Sequence, residues 1–117
     1  MQSNSSGADW KMYCLALKAA QERRLNEFPD RELEIPLVDE DGEEFRSKPD
    51  QTYGRARIPC FFDGPVHFHA RIERRDAKVM KLLVADGWRP MRWSYKPPLG
   101  DRQANVILDE IIKAVNG

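Results

Sequence analysis

Lys48-Pro-Asp-Gln-Thr-Tyr-Gly-Arg-Ala-Arg-Ile-Pro-Cys-Phe-Phe-Asp-Gly64 decides the reading of this chain. Pro49 forces Lys48 into extended backbone. Asp50–Tyr53 and Ala56–Phe62 then read as two strands joined by a polar turn around Gly54. Antiparallel pairing brings the start of the first strand to the end of the second, so Asp50 and Asp63 belong at one end of a sheet. Phe61 and Phe62 point to opposite faces, which places the second strand in the centre, covered on both sides.

Downstream, Val66-His67-Phe68-His69 leads into a basic helix over His69–Gly87, with Gly87 as its C-terminal cap. Trp88–Tyr95 reads as a strand with Met91, Trp93 and Tyr95 on one face. A strand, a helix and a strand with a short exit loop predict a crossover to a parallel partner. The Lys96-Pro-Pro-Leu-Gly100 loop leads to a last helix, N-capped by Asp101 and running through Val115. Upstream, Ala8–Phe28 reads as an amphipathic helix with Trp10, Tyr13, Leu17, Ala20 and Leu25 inward, ended by Pro29. Glu32–Val38 alternates with Leu33, Ile35 and Leu37 on one side, turns at Asp39–Gly42 and returns over Glu43–Arg46. The order predicts an α/β domain, a three-layer α/β/α arrangement around one mixed sheet of four or five strands. Residues 1–7 read as a disordered leader or linker, and 8–117 as one domain.

The 117 residues are 41% hydrophobic and 32% charged, with zero net charge. No run is apolar enough to span a bilayer, and no secretory signal is visible, so a membrane role is not expected. Cys14 and Cys60 fit no zinc or redox spacing and read as buried thiols, which favours a reducing cytoplasm. Charge is segregated: residues 22–50 carry 11 acids against 5 bases, and residues 55–96 carry 10 bases against 4 acids. A polyanion would be held by the second segment.

Four groups of residues could carry chemistry. Asp50 and Asp63 offer the paired carboxylates that a hard divalent ion such as Mg2+ or Mn2+ takes; Pro-Asp and Asp-Gly are also ordinary turn signals. His67 and His69 could move a proton at a phosphodiester, or cap a helix and face solvent. Arg71, Arg74, Arg75, Lys78 and Lys81, with Arg89 and Arg92, could contact phosphates, or form a solvated helix face. Trp88, Trp93, Phe68 and Tyr95 could stack on bases, though alternation argues for burial of Trp93. The acidic turn Asp39–Glu44 lacks the length and spacing of a calcium loop.

In their order, these pieces resemble the very-short-patch-repair mismatch endonucleases and their relatives, within the PD-(D/E)-x-K, or restriction-endonuclease-like, nucleases. The pattern is Pro49-Asp50, the strand Ile58–Gly64, Val66–His69, Arg74-Arg75-Asp76, Leu82-Leu83, Gly87-Trp88-Arg89 and Met91–Trp93. The resemblance covers Lys48 to Tyr95. It implies a restriction-endonuclease-like fold and a magnesium-dependent DNA endonuclease. Asp50 would be the metal-binding aspartate, the Phe62 carbonyl a second ligand, and His67 part of the active-site cluster. Three features depart from the pattern: the Phe-Trp wedge of the mismatch enzymes is missing, their zinc cysteines are absent, and position 65 is proline where the generic motif has lysine.

The leading expectation is therefore a DNA phosphodiesterase with Asp50, Asp63, His67 and His69 as catalytic residues, Asp50, Asp63 and the Phe62 carbonyl as metal ligands, and Arg71, Arg74, Arg75, Lys78, Lys81 and Arg89 on DNA. A larger repair, homing or restriction-type protein could contain it, and a homodimer is compatible. The alternatives are a nuclease-like fold that binds DNA or a protein without cutting, and an interaction domain using the acidic hairpin.

Overall fold

Gln51–Tyr53 (β3) and Ile58–Asp63 (β4) pair antiparallel, with Gln51 opposite Cys60 and Tyr53 opposite Ile58. The structure is a computed structural model that describes the backbone of residues 6–64 and 70–117 and the side chains of 7–64 and 74–117. Met91–Ser94 (β5) runs parallel to β4 on its other edge, Cys60 opposite Met91 and Asp63 opposite Ser94. The central position of β4 and the parallel crossover both follow the sequence expectation. Pro59 is tolerated in a central strand because it lies before the parallel ladder, which opens at Cys60.

The other two strands depart from it. Ile35–Val38 (β1) and Glu44–Ser47 (β2) form their own two-stranded hairpin, so among the described residues the five strands divide into sheets of three and two rather than one mixed sheet. Pro36 in β1 removes a donor and makes that strand a poor template for further pairing. The hairpin instead uses its apolar face. Ile35 and Leu37, with Leu33 and Phe45 beside them, pack on Val79 and Leu83 of Ala70–Ala85 (α2). Gly42 turns the hairpin at φ +82°.

A layered α/β arrangement results. Ile58, Cys60 and Phe62 of β4 join one core with Ser6–Gln21 (α1) and Asp101–Asn116 (α3). Phe61, one residue out of phase, packs on the α2 and β1–β2 side. Trp93 belongs to the first core as expected: it stacks on Phe62 at 5.7 Å between centroids and its indole N–H donates to Glu110 at 3.2 Å.

Helix α1 differs in length and in face. It stops at Gln21 rather than Phe28, because the chain reverses over Glu22–Arg24 with Arg23 at φ +64°. Its inward stripe is Ala8, Met12, Ala16, Ala19 and Ala20, and Trp10 stays 54% exposed. Ala20 and Leu25 are buried as expected, but periodicity weighted towards large side chains misplaces Trp10, Tyr13 and Leu17. Small residues let α1 approach Ala104, Ile107 and Ile111 of α3 closely. Two cross-ties fix that pair: the Lys11 ammonium donates to Leu99 O (2.9 Å) and pairs with Asp101, and the Asn116 amide bonds Asn26 N–H and Arg24 O. Asp101 is thus the first helical residue of α3, and Gly100 takes the cap position with no side-chain bond. Helix α2 ends at Ala85 and reverses through Gly87 at φ +91°, as read from the sequence. Cys60 is buried, but Cys14 is exposed on α1, against expectation. No described helix is long and apolar enough to cross a membrane.

Candidate active site

The β3–β4 register decides where the Pro-Asp acid goes. Asp50 N–H donates to Cys60 O at 3.0 Å, and the Asp50 carboxylate accepts the Phe62 N–H at 2.7 Å. Its side chain caps the end of the ladder where β3 has no further residue to offer. In an extended strand the carbonyl of a residue points the same way as its N–H, so the Phe62 carbonyl also faces the Asp50 side. Asp63 closes the same end of β4, as predicted. Its carbonyl accepts Tyr95 N–H at 3.0 Å.

Asp63 itself is engaged. Arg92, two residues before Ser94 on β5, donates to its two oxygens at 2.6 and 3.0 Å, and reaches Asp76 of α2 at 2.7 Å with its third nitrogen. A guanidinium therefore bridges the sheet and α2 at the place where a metal was expected to share Asp63.

Sequence reasoning missed Asp9 here, and named Tyr95 only as an aromatic that could stack on bases. Asp9, in the first turn of α1, lies close enough to raise the pKa of Asp50, and its Oδ1 is buried without a partner among the described residues while Oδ2 accepts from Arg31 at 3.3 Å. An acid at a helix start is an ordinary dipole complement, so nothing in its local spacing marks it. Tyr95 is buried, with its hydroxyl 3.2 Å from where a Gly64 side chain would begin. Gly64 therefore leaves room for the phenol.

The electrostatics of the cluster are those of partly buried acids, with burial the leading cause of each raised pKa. Burial pushes Asp50 up to about 6; Asp9 and Asp63 add to this, against the Phe62 N–H and Arg92. Asp9 is raised, chiefly by burial and against Arg31. Tyr95 is raised by burial and then by Asp50, Asp63 and Asp9. A small pocket of about 170 Å³ opens here, lined by Asp9, Arg31, Lys48 and Asp50 among others. A larger cavity of about 500 Å³ lies between the start of α1 and the Pro97–Leu99 loop, but its lysine, Lys11, is already committed to Leu99 and Asp101.

The residues fit a hard cation in part. An unpartnered carboxylate oxygen beside an acid with a raised pKa is a place where a divalent ion would relieve unfavourable charge. Magnesium keeps several waters and needs only one or two protein carboxylates. Among the described residues no three acidic, histidine or cysteine side chains form a ready metal cage. His67 and His69 lie outside the described residues.

The expected DNA-binding set divides. Arg74, Arg75 and Lys81 are exposed on α2. Lys78 instead reaches Asp39 at 2.8 Å, a carboxylate that also accepts Asp41 and Glu43 N–H groups. The acidic turn is thus internally occupied, anchoring the hairpin to α2. Arg89 lies at the opposite end of the sheet, its guanidinium on Ala56 O at 3.0 Å and its N–H on Arg57 O at 2.7 Å. It cannot share a phosphate with Asp50, because β4 runs its whole length between them. The side chain of Arg71 lies outside the described residues.

No family model, curated protein or solved structure matches the chain.

Proposed function

We propose that this chain is a metal-dependent DNA endonuclease with a restriction-endonuclease-like fold. One observation carries the reading: Asp50 is held at the end of a central sheet with its pKa raised to about 6, beside the unpartnered Asp9 oxygen. Acids packed together at a pocket mouth destabilise a fold, and such strain gathers at functional sites. Asp50 and Asp9, with the Phe62 carbonyl, would hold Mg2+ or Mn2+. When bound, such an ion polarises a phosphate oxygen and lowers the pKa of water.

The chain's own residues do the rest. Arg31 and Lys48 flank the pocket and attract a phosphodiester. Arg92 keeps the Asp63 carboxylate oriented and neutralised until substrate or metal competes for it. Proton transfer falls to His67 and His69 in this reading, an imidazole being suited to that work near neutral pH.

The test is cleavage of supercoiled plasmid with magnesium by the wild type and by Asp50→Ala. Loss of cutting in the variant is expected; equal cutting by both would end the assignment. A second reading, a nuclease-like fold that binds DNA without cutting, is favoured by one feature: both Asp63 oxygens are already taken by Arg92. Salt-sensitive DNA binding with no magnesium-dependent cleavage is its signature.

A further inference from the structure

A second cleft, of about 300 Å³, opens between β2 and α2. Its lining combines apolar Phe61 and Val79 with three cations, Arg46, Lys48 and Arg75, and one acid, Asp76. Asp76 is already paired with Arg92. The cations are held loosely. Arg46 pairs with exposed Glu34 at 3.0 Å, Lys48 approaches exposed Glu32 only to 3.7 Å, and Arg75 lies 5.9 Å over the Phe45 ring. Exposed pairs of this kind contribute little and exchange readily for a stronger anion. Among the described residues the surplus of positive charge in the cleft therefore has no fixed partner of comparable strength.

Lys48 also lines the pocket that contains Asp9 and Asp50. One side chain thus separates the cationic cleft from the carboxylate site. A chain of phosphates seated in the cleft would pass Lys48 and present its next phosphate to Asp50. The apolar lining from Phe61 and Val79 suits the sugar faces of such a chain, whereas an isolated metal ion would leave it uncovered.

We infer that the β2–α2 cleft is the subsite for the nucleic-acid backbone flanking the reacting phosphate, with Arg46, Lys48 and Arg75 as its phosphate contacts. The grip on substrate then comes from the β1–β2 hairpin together with one residue of α2, not from the exposed length of α2 or from Arg89. The inference rests on the endonuclease reading for the identity of the substrate and adds the path that substrate takes.

The experiment is fluorescence anisotropy of labelled single-stranded and duplex DNA with the full chain in EDTA, where cutting cannot intervene. Arg46→Ala, Lys48→Ala and Arg75→Ala are compared with Lys81→Ala and Arg89→Ala. All five side chains are at least partly exposed, and circular dichroism checks that each variant folds. Each cleft substitution is expected to weaken binding several-fold and to lower the salt slope by about one; the two controls stay within about twofold, as for charges that touch no phosphate. Equal losses in cleft and control variants, or no loss in the cleft variants, would overturn the inference. Cleft-dependent binding by a protein that never cleaves plasmid supports the subsite and sinks the endonuclease reading. Cleavage without cleft dependence does the reverse, and absence of any DNA binding removes both.

Discussion

Arg92 grips Asp63 through two hydrogen bonds and reaches across to Asp76 with the remaining nitrogen, so one cation from β5 ties the end of β4 to α2. The bridge pairs with a cation one of the two acids whose charge adds to the raised pKa of Asp50.

Arg92→Gln should free Asp63 for a cation. The expected result is a larger increase in melting temperature on adding Mn2+ than the wild type shows, since a tighter ligand stabilises by mass action. Stability without metal should fall by about 1–3 kcal/mol as the charged bonds are lost. Thermal denaturation with and without Mn2+ reads both effects. An unchanged metal-induced shift would show that Asp63 takes no part in cation binding.

Asp50 predicts a pH dependence with a definite sign. Its folded pKa of about 6 lies above the ordinary value of 3.8, so the native state holds its proton more tightly than the unfolded chain. That contribution to stability is fully present below the unfolded value and is lost as pH rises from there through the folded value. The slope is at most about 1.4 kcal/mol per pH unit, reduced here because the carboxyl keeps some solvent. Asp50→Asn can still accept the Phe62 N–H but carries no charge, so it should flatten this slope and be the more stable protein at pH 8. Urea titrations at several pH values measure it, and a variant that is less stable than wild type at pH 8 would contradict the account.

Asp39 is the hub of the β1–β2 turn, and its pKa is held low by the Lys78 ammonium and by two backbone N–H groups. Asp39→Ala should release the hairpin from α2. Hydrogen exchange is expected to speed up in β1 and β2 while β3, β4 and β5 keep their protection. Uniform loss of protection across both sheets would mean that the hairpin is not an independently anchored unit.

The two cysteines should differ in reactivity. Cys14 is exposed, whereas burial raises the Cys60 thiol far above its usual range and hides it in the core. A thiol reagent should modify one cysteine per native chain and the second only in denaturant. Modification of both at similar rates in the native state would place Cys60 outside the core.

Much of the central architecture was legible. The alternation around Phe61 and Phe62 and the Pro49 and Gly54 breaks give a hairpin, and a basic helical stretch before the β5 segment gives the crossover. Strand alternation carries its own register, because a residue's face depends only on its parity. The α1 face was not legible. Ala8, Met12 and Ala16 win over Trp10 because helix–helix approach rewards small side chains, and the partner α3 is encoded at the far end of the chain.

What the sequence determined by itself is local: the strands, the turns at Gly42 and Gly87, and the meeting of Asp50 with the end of β4, which follows from hairpin pairing alone. Only tertiary structure decided who else stands there. Asp9 arrives with α1, Arg92 with β5, and Lys48 at the join of two clefts, while Lys78 and Arg89 are drawn elsewhere by Asp39 and Ala56. Long side chains choose partners by through-space charge and available carbonyls, and those distances exist only once the helices are packed on the sheet.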